Sequence, residues 1–251
     1  MDFIKFLGTA GARVAVAKQL RASGGIWLSL AGTNILIDPG PGSLVHCFKA
    51  RPKLDPTTLS GIIISHKHLD HAADINVMME AMTIGGKEPR GIVLAPGDAL
   101  SGSDPIIYKY DRPFVDKIER LKAGGKYRIG QVGITAGPLH RHGVETYGLI
   151  FRGAGKKIAY ITDTKFFPEL TKKYKADIVI ISVLSPKPIP YDHLTVEDVR
   201  VIVRALKPET AILTHFGWNM IKAKPWLVAE GLSRELKTKV IAASDGLTFE
   251  L

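Results

Sequence analysis

The 251-residue sequence has little of several features that mark specialised classes of protein. Cys47 is its only cysteine, which excludes an internal disulfide and fits a reducing cytoplasm. No apolar stretch approaches the roughly 20 residues of a membrane span, and the N-terminus lacks the three regions of a signal peptide. Short-period repeats, low-complexity tracts and linkers are also absent. We therefore expect a cytoplasmic protein that does not enter a membrane and that forms a single domain over residues 1–251.

Charge of one sign is in excess, because 34 Lys and Arg stand against 24 Asp and Glu, a net charge of +10. A basic surface attracts phosphodiesters and nucleic acid. Lys-rich surfaces also occur in thermophile proteins that have no nucleic-acid role. The net charge is therefore compatible with a small anionic substrate and with nucleic acid, and it does not distinguish between these two partners. The sequence leaves a homodimer open as well.

The stretch that organises the chain is 61–74, which reads GIIISHKHLDHAAD. Its β-branched run Ile62–Ile64 predicts a buried strand, which ends at Ser65. Four side chains that borderline divalent metals prefer as ligands follow within six residues. They are His66, His68, Asp70 and His71. The alternative is a solvated loop that happens to contain histidine. Because three of the eight histidines lie here behind a core strand, we favour a metal site.

The rest of the chain alternates between short apolar runs and amphipathic segments, which predicts two sheets with helices outside them. Further strands are predicted at 3–7, 26–30, 34–37, 91–95, 127–129, 132–136, 147–152, 157–161, 177–182, 210–214 and 239–243. Helices are predicted after Ser43 and at 72–83, 115–121, 195–206 and 226–236. The irregular stretch 98–125 is either a surface connection or a wall of the functional site.

Further ligand candidates stand where predicted strands end. His140 or His142 follows one strand, and spacing alone allows either. Asp163 ends AYITDT and His215 ends AILTHF. His193, in YDHLTVEDV, precedes a helix that Thr195 and Asp198 could cap.

The 65–71 segment, SHKHLDH, resembles the HxHxDH signature of the metallo-β-lactamase superfamily. The segments FLGTAGA, HGVETYG and ASDGLTF and the position of His193 are similar to the ribonuclease Z-like branch of that superfamily. The resemblance covers most of the chain. It implies an α+β fold, the four-layer αββα sandwich, with a two-metal site at one edge of the paired sheets. Asp38, in IDPGPGS, matches a position that supports the ligands or a turn.

The same resemblance implies a complete set of metal ligands. One metal would take His66, His68 and His142, and the other would take Asp70, His71 and His215, with Asp163 between them. Zinc suits this nitrogen-rich set, although manganese or iron can bind the same donors. Two such ions lower the pKa of a shared water and polarise the electrophile. Asp70 and His193 are the predicted catalytic residues: Asp70 orients the water or takes its proton, and His193 acts on the leaving group or the phosphoryl oxygen.

The implied function is hydrolysis of a phosphodiester by a dinuclear metal site. The stretch 98–125 is too short and too apolar for the arm with which ribonuclease Z grips transfer RNA, and Gly217-Trp218 replaces the Ser and Arg that follow LTHF there. A small or cyclic phosphodiester is therefore favoured over transfer RNA. The alternative is a carboxylic substrate, namely a thioester, lactone or β-lactam. Redox members of the family tend to replace His68 with Glu and to append a flavin domain, so a redox role is disfavoured. A non-enzymatic binding module that has lost its metals is disfavoured as well, because no ligand position is missing.

Overall fold

The computed structural model describes residues 1–251, in which fourteen strands and nine helices alternate. The strands are β1 (Phe3–Phe6), β2 (Ile26–Leu30), β3 (Thr33–Ile37), β4 (Leu59–Ile63), β5 (Ile92–Ala95), β6 (Lys117–Arg120), β7 (Lys126–Ile129), β8 (Val132–Leu139), β9 (Tyr147–Gly153), β10 (Lys156–Ile161), β11 (Ile178–Ser182), β12 (Thr210–Thr214), β13 (Lys239–Ala242) and β14 (Thr248–Glu250). The helices are α1 (Ala12–Ala17), α2 (Ser43–Lys49), α3 (Leu69–Ala72), α4 (Ile75–Met82), α5 (Gly97–Leu100), α6 (Leu170–Lys173), α7 (Val196–Leu206), α8 (Trp218–Lys222) and α9 (Pro225–Leu236).

The strands form two mixed sheets of seven, in the orders β14-β1-β2-β3-β4-β5-β6 and β13-β12-β11-β10-β9-β8-β7. In the first sheet β3, β4, β5 and β6 run parallel. In the second sheet β10 to β13 run parallel, while β7 to β10 pair antiparallel. Strands β8, β10, β11 and β12 therefore share one direction, and their carboxyl ends meet at one edge of the sheet.

Three hydrophobic clusters show how the layers stack. The first lies between the two sheets and takes side chains from both. The second joins the outer face of the second sheet to helices α6, α7 and α9, and the third joins the outer face of the first sheet to α2, α4 and α5. In β11, for example, Ile178 and Ile180 face the other sheet, while Val179 and Ile181 face the helices. The predicted α+β fold, a four-layer αββα sandwich, is confirmed.

One predicted element has the wrong type. The sequence predicts a short helix at 115–121. The structure instead has strand β6 there, which pairs with β5 from Ile92 and Lys117 onward. The open edge of β5 offers backbone partners that a short helix could not use, so tertiary pairing overrides the local pattern.

Smaller differences concern the boundaries of predicted helices and the presence of helices and strands that the sequence does not predict. The helix predicted at 72–83 is split into α3 and α4, and the sequence does not predict α1, α5, α6, α8 or β14. None of the nine helices combines the length and the apolar character that a membrane span requires. Cys47 packs in the third cluster, and burial raises the pKa of its thiol to about 12. That the chain forms a single domain stays a prediction.

Candidate metal centre

Seven side chains from separate segments converge at the edge where the carboxyl ends of β4, β8, β10 and β12 meet. Their ligand atoms form two groups, and within each group all of them lie within 4.8 Å of one another. The first group is His66, His68 and His142; the second is Asp70, His71, Asp163 and His215. These are the seven positions that the sequence suggested as ligands, in the same division between two metals.

Interatomic distances show that Asp163 faces both groups. Its Oδ2 lies 3.3 Å from His215 Nε2, 3.4 Å from His71 Nε2 and 3.9 Å from His66 Nε2. Within the groups, ring nitrogens face each other at 3.0 Å, between His71 Nε2 and His215 Nε2 and between His68 Nδ1 and His142 Nε2. The arrangement suits a carboxylate that is shared between two cations.

The hydrogen-bond network fixes which nitrogen of His142 and of His66 carries a lone pair toward the centre. His142 Nδ1 lies 3.1 Å from the carbonyl oxygen of Asp192, which can only accept, so Nδ1 donates and Nε2 keeps its lone pair. The hydroxyl of Ser65 donates to a carboxylate and therefore accepts from His66 Nδ1, 3.1 Å away. His66 Nε2 is thus also a free acceptor that points inward.

Asp38 connects the two groups from behind. Its Oδ2 accepts from the Ser65 hydroxyl at 2.7 Å, from His71 Nδ1 at 2.9 Å and from the Tyr160 hydroxyl at 3.0 Å. Its Oδ1 accepts from the Ser65 backbone N–H at 2.6 Å. Asp38 therefore orients one ring of each group, as expected of a residue that supports the ligands.

Electrostatics favours the ionisation states that metal binding requires in the first group and at Asp163, but not at His71. Burial disfavours the charged form of His71, yet Asp163 and Asp70 outweigh it and raise its pKa well above the ordinary value, so a metal would have to displace its proton. Burial lowers the pKa of His66 well below its ordinary value, and it also lowers the pKa of His68 and His142, so these three rings stay neutral. Burial alone would raise the pKa of Asp163, but His215 and His71 outweigh it, and the pKa lies well below the ordinary value. Neutral imidazoles and an ionised carboxylate are the forms that ligate metals.

Two buried polar atoms test whether these residues fit a metal pair. His66 Nε2 and Asp163 Oδ1 are buried and have no hydrogen-bond partner. Such atoms are rare in folded proteins, because each costs the free energy of its lost hydration. Both belong to donors that cations bind, and the set as a whole is rich in imidazole. The residues therefore fit a pair of divalent ions, and the donor chemistry suits zinc.

His140, the other candidate from the same segment, lies outside both groups. Its Nδ1 donates to the backbone carbonyl of Asp163 at 3.1 Å, and its Nε2 accepts from the Tyr174 hydroxyl at 2.7 Å. Both nitrogens are therefore in use, and burial lowers the pKa of His140 to about 4. The structure therefore places His142 at the centre, while His140 stabilises the turn at Asp163 through a hydrogen bond to its backbone.

His193 reaches the centre from the loop between β11 and α7. Its Nε2 lies 3.1 Å from Asp163 Oδ2, and its side chain is 15% exposed, against 2% for Asp163. Burial opposes the charged form of His193, but the bond to Asp163 raises its pKa above the ordinary value. The structure brings His193 to the site; its action on substrate stays a prediction.

The segment before α1 also takes part, which sequence reasoning missed. The Ala12 backbone N–H donates to Asp70 Oδ2 at 2.9 Å. Gly11 packs directly on the ring of His215, so that a Cβ there would lie 2.3 Å from Nδ1. The run of small residues in FLGTAGA was interpreted as a tight turn only. The small side chains of this run are the sequence signal that could have indicated a contact with the ligands, because they allow the backbone to approach closely.

A cavity of about 440 Å³ opens beside His142. Its polar lining includes Lys67, Asp98 and Glu145, and Lys67 Nζ lies 4.0 Å from Asp98 Oδ2. Asp98 is the first residue of the stretch 98–125. Through Asp98, this stretch contributes to the wall of the cavity beside His142. Farther along, Tyr108 and Tyr110 stack on each other and are exposed.

Residues 33–216 match the model of the beta-lactamase superfamily domain, which is more than half of the chain. The protein belongs to this superfamily. The resemblance seen in the HxHxDH segment is thereby confirmed, and the fold of the superfamily suggests a metal-dependent hydrolase.

Two sequence relatives extend the comparison. An uncharacterized protein of Methanocaldococcus jannaschii is 29% identical over 257 residues, covering 99% of this chain and 94% of the relative. A ribonuclease Z of Methanosarcina mazei is 25% identical over 173 residues, covering 54% of this chain and 55% of the relative. The chain thus matches about half of the ribonuclease Z and nearly all of the archaeal relative.

Solved structures are similar over the whole chain. The metallo-beta-lactamase fold protein YhfI from Bacillus subtilis superimposes with a TM-score of 0.80 at 17% identity, covering 99% of this chain and 98% of YhfI. A diphosphatase from the PhnP family gives 0.73 at 21% identity, covering 100% and 97%. The diiron β-hydroxylase CmlA from Streptomyces venezuelae gives 0.67 at 17% identity, covering 100% of this chain and 54% of CmlA. At such identities the likeness establishes the fold alone.

Proposed function

We propose that this superfamily member is a hydrolase of phosphodiester bonds that works with two divalent metal ions, most suitably zinc. His66, His68 and His142 would hold one ion, Asp70, His71 and His215 the other, and Asp163 would contact both. The bound pair would supply a Lewis acid and a water of lowered pKa. The observation that carries the proposal is the position of His193, with its Nε2 3.1 Å from Asp163 Oδ2.

The chain's own residues divide the work between the two sides of the centre. Asp70 is anchored through Oδ2 by the Ala12 backbone N–H, so its carboxylate is held to orient a water and accept its proton. His193 is more exposed than Asp163 and can meet a substrate that approaches from solvent. From there its imidazole can donate a proton to the leaving oxygen or bind a phosphoryl oxygen.

Two further observations favour phosphate over a carboxylic substrate. The chain carries a net charge of +10, which attracts anions. Relatives and structural neighbours include a ribonuclease Z and a diphosphatase by name. His68 is present where redox members of the family tend to have Glu, which speaks against a redox role.

A comparison of model substrates tests the reaction class. Purified protein is assayed on bis-p-nitrophenyl phosphate, a thioester and a lactone, with and without chelator, and its metal content is measured. We expect turnover of the phosphodiester that chelator abolishes. Activity on the thioester or lactone alone would show that the carboxylic alternative is correct.

The variant His193→Ala tests the role of His193. We expect unchanged metal content and a loss in kcat of roughly 10²- to 10⁴-fold, the usual contribution of a positioned acid or base. His46→Ala is the matched control, because His46 is partly buried and belongs to neither ligand group. A His193→Ala protein without metal would show that His193 is a ligand instead.

A further inference from the structure

We propose that Lys18, Trp218 and Lys222 form a second anion-binding subsite beside the metal centre, which binds a phosphate of a single-stranded oligonucleotide outside the scissile bond. The inference rests on the proposed phosphodiesterase function and narrows its substrate class. A single small phosphodiester has only one phosphate and cannot occupy both places. A short single strand can.

The first observation is that two lysines converge on one aromatic ring. Lys222 Nζ lies 4.5 Å from the centroid of Trp218, and Lys18 Nζ lies 5.3 Å from it. Both distances are within the range of cation–π attraction, which holds the two ammonium groups in place. Both lysines are exposed, while Trp218 is half-buried, so the ammonium groups are accessible to a ligand.

The second observation is that neither charge is neutralised. The lysines that form ion pairs in this protein are Lys67 and Lys117, and no carboxylate pairs with Lys18 or Lys222. Two like charges near one ring repel each other, and an anion that contacts both would relieve the repulsion. Grooves that bind single strands combine positive charge with aromatic side chains, and both are present here.

The third observation links this subsite to the metal centre. Helix α8 begins at Trp218, three residues after His215. The segment that leads into α1 is tied to the same place, because Phe216 N–H donates to the Thr9 carbonyl at 2.8 Å and Gly11 N–H donates to the Phe216 carbonyl at 3.2 Å. Both elements that carry the subsite therefore start at the second ligand group.

The length of α1 gives the separation between Lys18 and the metal centre. Ala12 donates to Asp70 at the start of this helix, and Lys18 caps its end six residues later. At about 1.5 Å per residue the two ends are separated by roughly 9 Å. That separation places the backbone of Lys18 outside the metal centre, where Asp70 and its neighbours would hold an ion. It fits a phosphate farther along the same strand.

Fluorescence titration tests the subsite without relying on turnover. The full-length metal-loaded protein is titrated with a phosphorothioate oligoadenylate of five nucleotides at several salt concentrations. The variant Lys18→Gln/Lys222→Gln should bind it about three- to tenfold more weakly, and the slope of log K against log salt should fall by about 0.7, one phosphate contact. Trp218→Phe should bind nearly as wild type but lose the fluorescence change. Lys172→Gln, an exposed lysine in α6, is the control.

Turnover then separates this inference from the proposed function. In Lys18→Gln/Lys222→Gln, the loss of kcat/KM on an oligonucleotide should exceed the loss on bis-p-nitrophenyl phosphate. Equal losses on both substrates, or wild-type affinity and salt slope, would overturn the subsite. If the wild-type protein hydrolysed neither substrate, the proposed function would fail, while the titration would still decide whether the lysines bind the strand.

Discussion

Asp38 shows how a single buried carboxylate can organise a centre that it does not enter. It accepts four hydrogen bonds, and through Ser65 and directly it orients His66 and His71, one ring from each ligand group. A ring held by a donor bond on one nitrogen presents the lone pair of the other in a fixed direction. The two halves of the centre are therefore coupled through one side chain.

Replacing Asp38 by Asn should weaken metal binding while leaving the ligands themselves intact. An amide can offer a donor group where the carboxylate offers only acceptors, so the ring orientations would loosen. We expect metal affinity to fall roughly 10- to 100-fold, as for other residues that orient metal ligands. Competition with a chromophoric chelator measures it. Asp104→Asn, at an exposed site, should bind as wild type, and an unchanged affinity in Asp38→Asn would contradict the role.

At the scale of elements, strand direction decides which loops can meet. Strands β8, β10 and β12 end at the same edge, so His142, Asp163 and His215 arrive together although 73 positions separate the first from the last (215 − 142). The loop that bears His193 is held at its far end by the start of α7. There Thr195 donates to the Asp198 carboxylate from its backbone N–H and its hydroxyl, both at 2.8 Å, in a capping box.

The capping box predicts the stability of a defined variant. Thr195→Ala removes the cap side chain, which should lower the free energy of unfolding by about 1 kcal/mol. Urea denaturation measures the change. Thr238→Ala is the control, because the Thr238 hydroxyl makes a single long hydrogen bond, 3.4 Å to the carbonyl oxygen of Leu236 at the end of α9. An equal loss in both variants would mean that the cap at α7 contributes nothing specific.

At the scale of the whole molecule, the candidate ligands come from both sheets. His66 to His71 follow the first sheet, while His142, Asp163 and His215 follow the second. The two sheets already share a large apolar core. A metal pair at their edge would add a second connection that exists only in the folded chain.

Metal removal should therefore lower thermal stability. Ions present at about 1,000 times their Kd stabilise the folded state by about 4 kcal/mol. For a chain of this size that corresponds to a loss of roughly 8–16 °C in Tm on chelation. Differential scanning calorimetry of the metal-loaded and chelated protein measures it. His215→Ala should melt with less dependence on chelator, and a Tm that chelator leaves unchanged would show that no metal supports the fold.

Much of this protein could be read from its sequence because metal ligands are chemically specific and buried strands are apolar. The seven candidate ligands, the two-sheet architecture and the cap of α7 follow from residue types and their order. Helix α1 and strand β6 did not follow. The first is too short to have a period, and the second forms because β5 offers it an open edge.

Only the tertiary structure decided which residues that are distant in the chain contact each other. His140 and His142 are equivalent by spacing, and only the family resemblance favours His142 in the sequence. The fold gives the physical reason, because Tyr174 and the Asp163 carbonyl occupy both nitrogens of His140. Lys18 and Lys222 are ordinary surface lysines until the fold places them over the same ring. The sequence determines which chemistry a side chain can perform. Neighbours that lie far away in the chain determine whether it does so here, because a hydrogen bond spans about 3 Å and a charge acts in salt over only about 10 Å.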